Sequence, residues 1–327
     1  MPVDPRLAAA AADVAQPGEP ASTSASASAP AADSTARRDA LSDRQIATTG
    51  PAMDVREAVF DLAPEPVPVR IYRPRDGELP GLIYLHGGGF HGGGLDEADA
   101  LCRRRAAAIG CVVVSVGYRL APQHPFPQGL DDAWNAARLV AERARRLGID
   151  PKRIAVGGQS AGANLAAVLT QRARDAGTPL FAAQLLEIPV TDADTDWPSV
   201  TAYGSGYGFD RTDLDSMWQQ YLPEGAHRGD PAVSPLRGRL HGLPPALVTT
   251  VEYDVFRDQG ERYAQALEQA AVPVHLRRWP GLVHGTTDLD ILLPDLAHDY
   301  LTELAEVMRE YLGLGLTAQA PHEPPPL

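Results

Sequence analysis

The chain has 327 residues, of which 29 are basic and 42 acidic, so that its net charge at neutral pH is −13. This length is sufficient for one domain with a sizeable buried core. The excess of negative charge argues against nucleic acids and anionic membrane surfaces as partners. Cys102 and Cys111 are too few for a disulfide framework and lack the spacing of a metal site, so we expect buried thiols.

The first 50 residues are predicted to form a separate N-terminal segment. Residues 1–6 lack the charged-then-apolar pattern of a signal peptide, and no apolar run is long enough to span a membrane, so we expect a soluble cytoplasmic protein. Residues 7–14 are a candidate helix. Residues 16–38 are rich in Ala, Ser and Pro and are predicted to be mobile, because they bury too little apolar surface to offset the entropy of ordering. The tail 316–327 is predicted to be disordered.

Residues 51–315 alternate between short apolar runs and helix-favouring segments. Two alternating segments within 55–72 indicate antiparallel strands at a sheet edge. Strands are then predicted at 82–85, 112–116, 153–157, 182–188, 245–251 and 274–279, and helices at 96–109, 129–147 and 161–175. This order predicts an α/β fold with a mostly parallel central sheet and helices on both of its faces.

A run of glycines follows the first of the buried strands, in His86-Gly87-Gly88-Gly89-Phe90. Glycines at the end of a strand let main-chain N–H groups point at a developing negative charge, because no side chain obstructs them. Taken alone, the run fits a flexible turn equally well. His86 is expected to hold the loop in shape and not to bind a metal, since the histidines of the chain lack ligand spacing.

The segment Gly158-Gln159-Ser160-Ala161-Gly162 joins a predicted strand to a predicted helix. Gly-x-Ser-x-Gly in this context is typical of a nucleophile elbow, a sharp turn that lifts a serine hydroxyl above the end of a sheet. Glycine suits the flanking positions because strand, turn and helix leave no room there for Cβ atoms. A serine hydroxyl is a weak nucleophile, so the interpretation requires a general base, an orienting carboxylate and an oxyanion hole.

The block 191–222 interrupts the alternation and concentrates large side chains in a chain with only 6% aromatic residues. These side chains are Trp197, Tyr203, Tyr207, Phe209, Met217, Trp218 and Tyr221. We predict a helical cap, inserted at about 191–225, that walls an acyl pocket. A pair of ordinary amphipathic helices with these rings in their own core explains the pattern equally well.

An acid and a histidine follow the last two predicted strands. Asp254 lies just past the strand at 245–251, and His284 lies beyond the strand at 274–279. Asp258 is a second candidate acid, but its position favours the first turn of the following helix, where an acid suits the helix dipole. Active-site groups of open α/β sheets gather at the carboxyl ends of the strands. The chain order Ser, Asp, His is the one expected of α/β-hydrolases.

The chain resembles the hormone-sensitive lipase family of α/β-hydrolases, the bacterial esterases and lipases with a His-Gly-Gly-Gly signature. The similarity covers about residues 67–312. Besides the glycine run and the elbow, it is carried by YRLAPQHPFP at 118–127, DD at 131–132, DPAVSPL at 230–236 and EYDVFRD at 252–258. The resemblance implies Ser160 as nucleophile, His284 as general base and Asp254 as its orienting acid.

The resemblance also implies an oxyanion hole formed by the N–H groups of Gly88, Gly89 and Ala161. The implied activity is that of a serine carboxylesterase, which acts on short- to medium-chain acyl esters as small-molecule substrates. It implies no metal or diffusible cofactor. A homodimer through an edge strand or the last helix is compatible with the resemblance.

Three positions depart from the family pattern, namely Gln159, Ala163 and Thr286. They concern the pocket wall and the helix packing, so they bear on substrate preference and not on the reaction. Three alternative functions fit the same residues. An amidase or deacetylase can use the same triad, and a longer-chain lipase needs an extended apolar channel. A non-catalytic binding protein is expected to have lost a triad residue, and all three candidates are present.

Overall fold

The computed structural model describes residues 3–6, 50–285 and 292–315, and an eight-stranded sheet organises them. The spatial order is β1-β2-β4-β3-β5-β6-β7-β8. The strands are β1 Asp54–Phe60, β2 Val67–Arg73, β3 Leu79–Leu85, β4 Val112–Val116, β5 Ile149–Gln159, β6 Ala183–Glu187, β7 Ala246–Tyr253 and β8 Val274–Val283. β2 pairs antiparallel with β1 and β4, and the remaining neighbours are parallel.

Burial explains why the central strands are apolar along their whole length. Every residue of β3, β4 and β6 is buried, because helices cover both faces of the sheet at these positions. The residues of the edge strand β1 are instead exposed or partly buried, except for Phe60 at its end, which is buried. The predicted α/β fold with a mostly parallel sheet is confirmed.

Seven α-helices lie wholly within the described residues 50–285 and 292–315, and most of them pack into one of two hydrophobic cores. They are α1 Asp99–Ile109, α2 Gln128–Glu142, α3 Ala161–Asp175, α4 Pro198–Tyr203, α5 Arg211–Tyr221, α6 Arg257–Gln269 and α7 Pro294–Tyr311. Buried side chains of α2, α3, α5 and α6 share one core. Those of α1 and α7 share the second core, on the opposite face of the sheet.

The boundaries differ from the predicted ones at several elements. The helix predicted at 129–147 ends at Glu142, and a 3-10 turn follows at Ala144–Leu147 before Gly148 adopts a left-handed backbone with φ of 65°. The helix predicted from residue 96 begins at Asp99. β8 continues to Val283, beyond the predicted end at 279, and therefore leads straight into His284.

The insertion between β6 and β7 contains α4 and α5, in the block predicted as a cap. The predicted helix at 7–14, the stretch 16–38 and the tail 316–327 lie outside the described residues. Near the start of the chain, the N–H of Asp4 donates to the carbonyl of Gly281 at 2.9 Å. Within the described ranges, no helix has both the length and the apolar character needed to cross a membrane.

Both cysteines are buried free thiols, as predicted. Burial raises the pKa of Cys102 and of Cys111 to about 12, so neither provides a thiolate nucleophile at neutral pH.

Candidate active site

The turn between β5 and α3 holds Ser160 in a backbone conformation that is rare for a residue with a side chain. Its φ is 55° and its ψ is −116°, a region that costs of the order of 1–3 kcal/mol for a non-glycine residue. Hydrogen bonds on both sides of the peptide hold it there. The Ser160 N–H donates to the carbonyl of Glu187 at 2.8 Å, and the Ser160 carbonyl accepts from the N–H of Asn164 at 3.1 Å.

The glycines of the elbow are required by close packing of three main-chain segments. A Cβ atom on Gly158 would lie 2.5 Å from the carbonyl carbon of Gly162, and one on Gly162 would lie 2.5 Å from the carbonyl oxygen of His86. Real Cβ atoms do not approach main-chain atoms this closely, so any side chain here would push β5, α3 and the end of β3 apart. The structure therefore agrees with the prediction that Gly158 and Gly162 have no room for a Cβ atom.

Ser160, His284 and Asp254 form one hydrogen-bonded array. His284 Nε2 lies 2.9 Å from Ser160 Oγ, and His284 Nδ1 lies 2.8 Å from Asp254 Oδ2. The second carboxylate oxygen, Asp254 Oδ1, accepts the N–H of Phe256 at 2.8 Å. A carboxylate only accepts, so Nδ1 carries the proton and Nε2 is left as the acceptor for the serine hydroxyl. The exposed fractions are 7% for Ser160, 8% for His284 and 2% for Asp254, so the array is nearly shielded from bulk water.

Aromatic side chains surround the imidazole of His284. The ring of Phe256 lies 5.1 Å from it and that of Phe209 lies 5.4 Å from it, centroid to centroid. Phe209 comes from the chain that leads into α5, so the insertion contributes directly to the wall of the site. Apolar walls strengthen the electrostatic interactions within the array, because they exclude solvent.

Asp258 lies in the first turn of α6 and not beside His284. Its Oδ2 accepts the N–H of Ser199 at 2.8 Å, and its Oδ1 accepts from Arg257 Nε at 2.9 Å. Glu252 Oε2 accepts the N–H of Gly281 at 2.8 Å and so anchors the strand that carries His284. Of the three acids near this strand end, only Asp254 reaches the imidazole.

The glycine loop after β3 passes directly over the elbow. A Cβ on Gly87 would lie 3.7 Å from the Cβ of Ser160. Gly88 and Gly89 have φ values of 114° and 62°, in the region that glycine tolerates. Among the described residues, the N–H groups of Gly88, Gly89 and Ala161 donate none of the main-chain hydrogen bonds found outside the helices and strands. The N–H groups of His91 and Gly92, in the same loop, donate to the carbonyl of Gly88.

His86 fixes the shape of this loop. Its Nδ1 is 2.8 Å from the carbonyl oxygen of Gly87, and its ring stacks on Tyr118 with centroids 4.2 Å apart. Tyr118 OH donates to the carbonyl of His86 at 2.7 Å. Burial lowers the pKa of His86, partly opposed by the Gly87 carbonyl and Glu97, so the ring stays neutral at neutral pH. The described residues hold no cluster of three or more His, Cys, Asp or Glu side chains that could bind a metal.

Helix α5 covers the glycine loop from the side of the insertion. The Cγ of Met217 lies 3.2 Å from the position that a Cβ of Gly89 would take. Phe90 has a positive φ of 66°, and its ring stacks on Tyr221 at 3.8 Å between centroids. Met217 and Trp218 are fully buried at this contact. The aromatic residues of the insertion therefore pack against the loop as well as among themselves.

Three supporting residues were not predicted from the sequence. Phe90 follows the glycine run as an ordinary aromatic residue, and nothing in the pattern indicates its left-handed backbone. Asn164 is one of three buried polar residues in α3, with Thr170 and Gln171. Its Nδ2 donates to the carbonyls of Val190 and Val233 at 2.9 and 2.8 Å. Glu187 supplies the carbonyl that holds Ser160 and is the last residue of β6, a fully buried strand that also contains Gln184.

Comparison with known proteins places the chain in a family. A model described as "alpha/beta hydrolase fold" matches residues 82–288. The protein "Carboxylesterase NlhH" of Mycobacterium tuberculosis is 43% identical over 251 residues, which cover 74% of this chain and 78% of that protein. "Ethyl acetate hydrolase" of Pseudomonas putida is 42% identical and covers 75% of this chain and 79% of that protein.

The fold has solved counterparts of the same kind. The hyperthermophilic esterase from Pyrobaculum calidifontis superimposes with a TM-score of 0.84 at 34% identity, covering 95% of this chain and 99% of that chain. The resemblance to the esterases related to hormone-sensitive lipase is thereby confirmed. On its sheet topology and on these matches, the chain belongs to the α/β-hydrolase family.

Proposed function

We propose that this chain is a serine carboxylesterase that hydrolyses short- to medium-chain acyl esters. The observation that carries the proposal is the array of Ser160, His284 and Asp254 beneath the glycine loop. The activities in the names of its relatives, a carboxylesterase and an ethyl acetate hydrolase, support ester hydrolysis as the reaction class.

Acylation begins when Ser160 Oγ attacks the ester carbonyl carbon while His284 Nε2 accepts the hydroxyl proton. Asp254 keeps Nδ1 protonated and stabilises the imidazolium that forms. The carbonyl oxygen becomes an oxyanion, which accepts hydrogen bonds from the N–H groups of Gly88, Gly89 and Ala161; losing one such donor typically costs about 3–4 kcal/mol.

Collapse of the tetrahedral intermediate breaks the bond to the alcohol oxygen, and the imidazolium returns the proton to the leaving alcohol. Water then enters, His284 takes one of its protons, and the resulting hydroxide attacks the acyl-enzyme carbonyl. A second collapse breaks the bond between the acyl carbon and Ser160 Oγ, and the imidazolium of His284 returns its proton to Oγ. The carboxylic acid is released and the Ser160 hydroxyl is restored.

The packing of α5 supports a limit on acyl length. Met217 is buried against the glycine loop and Phe209 against the general base. We infer that both side chains lie beside the carbonyl group of a bound ester and limit how far an acyl chain can extend. This arrangement favours short and medium chains over long ones.

Hydrolysis of p-nitrophenyl esters from acetate to palmitate, with an anilide series beside it, tests the proposal. We expect a maximum at short or medium chains, much slower anilide cleavage, and loss of activity in Ser160→Ala. Ser216→Ala is the matched control, since Ser216 is exposed on α5 and is not part of the array of Ser160, His284 and Asp254. Equal rates for wild type and Ser160→Ala would refute the mechanism, and a maximum at palmitate would refute the chain-length preference.

A further inference from the structure

A charged pair lies fully buried on the face of the sheet covered by α1 and α7. Arg105 belongs to α1, and Glu187 is the last residue of β6; neither side chain is exposed. Arg105 Nε donates to Glu187 Oε1 at 2.9 Å, and its Nη2 donates to Oε2. Removing two charges from water costs several kcal/mol per ion, and only good geometry with further hydrogen bonds repays it. A buried ion pair is therefore weak evidence of a stabilising role by itself.

Two tyrosines complete the hydrogen bonds of the Glu187 carboxylate. Tyr84 OH donates to Oε1 at 3.2 Å, and Tyr300 OH donates to Oε2 at 2.6 Å. Tyr300 OH also lies 3.0 Å from Thr249 Oγ1. We call Arg105, Glu187, Tyr84 and Tyr300 the Glu187 network. It joins helices α1 and α7 to β3 and β6, and it reaches β7 through Thr249.

Two of the strands that the network reaches, β3 and β7, lead into the candidate active site. β3 leads into the glycine loop, with Tyr84 two residues before His86, and β7 leads to Asp254. The closest connection is through Glu187 itself. Its main-chain carbonyl accepts the Ser160 N–H at 2.8 Å, while its side chain is held by donors from α1, α7 and β3. A shift of Glu187 would therefore move the acceptor of the Ser160 N–H.

The Ser160 peptide depends on such an anchor because of its backbone conformation. A positive φ at a residue with a Cβ persists only where the surroundings enforce it. The hydrogen bond from the Ser160 N–H is one of three main-chain hydrogen bonds at this residue, since the Ser160 carbonyl accepts from the N–H groups of Asn164 and Val190. It is the one that Ser160 donates, on the side of the turn opposite to α3. The hydroxyl must also stay within hydrogen-bond reach of His284, where displacements of about 1 Å can cost about 100-fold in rate.

We propose that Arg105 and Glu187 are positioning residues for the nucleophile, which hold the Glu187 carbonyl where it keeps Ser160 in its reactive conformation. This inference rests on the proposed esterase function. It assigns to the pair an effect on kcat that acts through Ser160, with little effect on substrate binding. A purely structural pair would instead change stability and leave the reaction of the folded enzyme unaltered.

Replacing both charges together separates the two roles. Buried ion pairs are often replaced by apolar residues of similar volume without loss of stability, whereas removal of one partner is strongly destabilising. We therefore choose the double variant Arg105→Met with Glu187→Leu as the main test. Val140→Ala is its control, since Val140 is a fully buried core residue of α2 outside the network. Glu187→Gln, which keeps the side-chain shape and removes the charge, is the second test variant.

Three quantities are measured on each folded variant: the thermal unfolding midpoint, kcat and KM for p-nitrophenyl butyrate, and amide hydrogen exchange at Ser160. In the double variant we expect kcat to fall by about 10- to 100-fold, KM to change by less than about threefold, and Ser160 to exchange faster than in Val140→Ala. Glu187→Gln should show the same pattern at smaller amplitude. Wild-type kcat in the folded double variant would overturn the positioning role.

The wild-type protein distinguishes failure of this inference from failure of the proposed function. If the wild type hydrolyses no ester in the panel, the esterase proposal is refuted, and hydrogen exchange decides the positioning claim. Faster exchange at Ser160 in the double variant than in the control supports the claim in that case, and equal exchange overturns it.

Discussion

Replacing Asp254 by asparagine exchanges one carboxylate oxygen for an NH2 group at the point where His284 is oriented. The Asp254 side chain accepts two hydrogen bonds: Oδ1 accepts from the N–H of Phe256, and Oδ2 accepts from His284 Nδ1. An asparagine meets the first with its amide oxygen, so its NH2 group faces Nδ1. Nδ1 must then act as acceptor, and the single proton of the neutral imidazole moves to Nε2.

The proton on Nε2 faces Ser160 Oγ, 2.9 Å away, where the mechanism needs an acceptor. His284 then cannot take the serine proton without first changing tautomer. We expect kcat to fall on the order of 10⁴-fold, equivalent to about 5 kcal/mol of transition-state stabilisation. The fold should persist, because asparagine keeps the volume and the bond from Phe256.

The assay is kcat for p-nitrophenyl butyrate, corrected with Ser160→Ala, beside thermal unfolding of each variant. Asp258→Asn is the matched control: Asp258 accepts from Ser199 and Arg257 in the first turn of α6, so we expect activity within about threefold of wild type. A folded Asp254→Asn protein with kcat within tenfold of wild type would refute the tautomer argument. A larger loss in Asp258→Asn would move the role of orienting acid to that residue.

Two further predictions concern the acyl pocket and the glycine loop. Met217→Ala removes the side chain packed against Gly89, so we expect the acyl chain of the preferred p-nitrophenyl ester to lengthen by about three carbon atoms. The free energy of unfolding should fall by about 2–5 kcal/mol, because a buried side chain is truncated. An unchanged chain-length profile would contradict the pocket assignment. Burial lowers the pKa of His86 below its ordinary value of 6.5. Below pH 6.5 the unfolded chain therefore binds a proton at this residue that the folded protein does not bind. The free energy of unfolding then falls with decreasing pH, by up to about 1.4 kcal/mol per pH unit. Urea unfolding of wild type and His86→Gln between pH 7.5 and 5 checks this, and the same pH slope in both proteins would contradict it.

The sheet and its helices were predictable because their burial leaves a simple pattern. β4 is a run of valines and one serine that is buried on both faces, and α3 follows the elbow as a run of small apolar residues. The elbow itself was predictable because Gly-x-Ser-x-Gly between a strand and a helix is a recognisable short pattern. The contacts that require its glycines come partly from the end of β3, but the pattern can be recognised without them.

What the sequence did not reveal depends on contacts between distant segments. Arg105 is one of three consecutive arginines, and the pattern does not indicate that this one is buried against a glutamate 82 positions away. The early end of α2 has a similar origin. No proline or glycine interrupts residues 130–147, so the periodicity continues past Glu142 although the helix does not.

Helix α3 starts at Ala161, so its main-chain N–H groups lie where the negative charge of the proposed reaction develops. A helix of 15 residues carries the equivalent of about half a positive charge at its N-terminus, and this end lies immediately after Ser160. In the proposed mechanism the oxyanion is therefore stabilised by peptide groups that every residue type possesses. Scanning the side chains with alanine will leave this contribution intact and will undervalue it. Replacing the peptide N–H of Ala161 by an ester oxygen, through chemical ligation, is the substitution that addresses it directly.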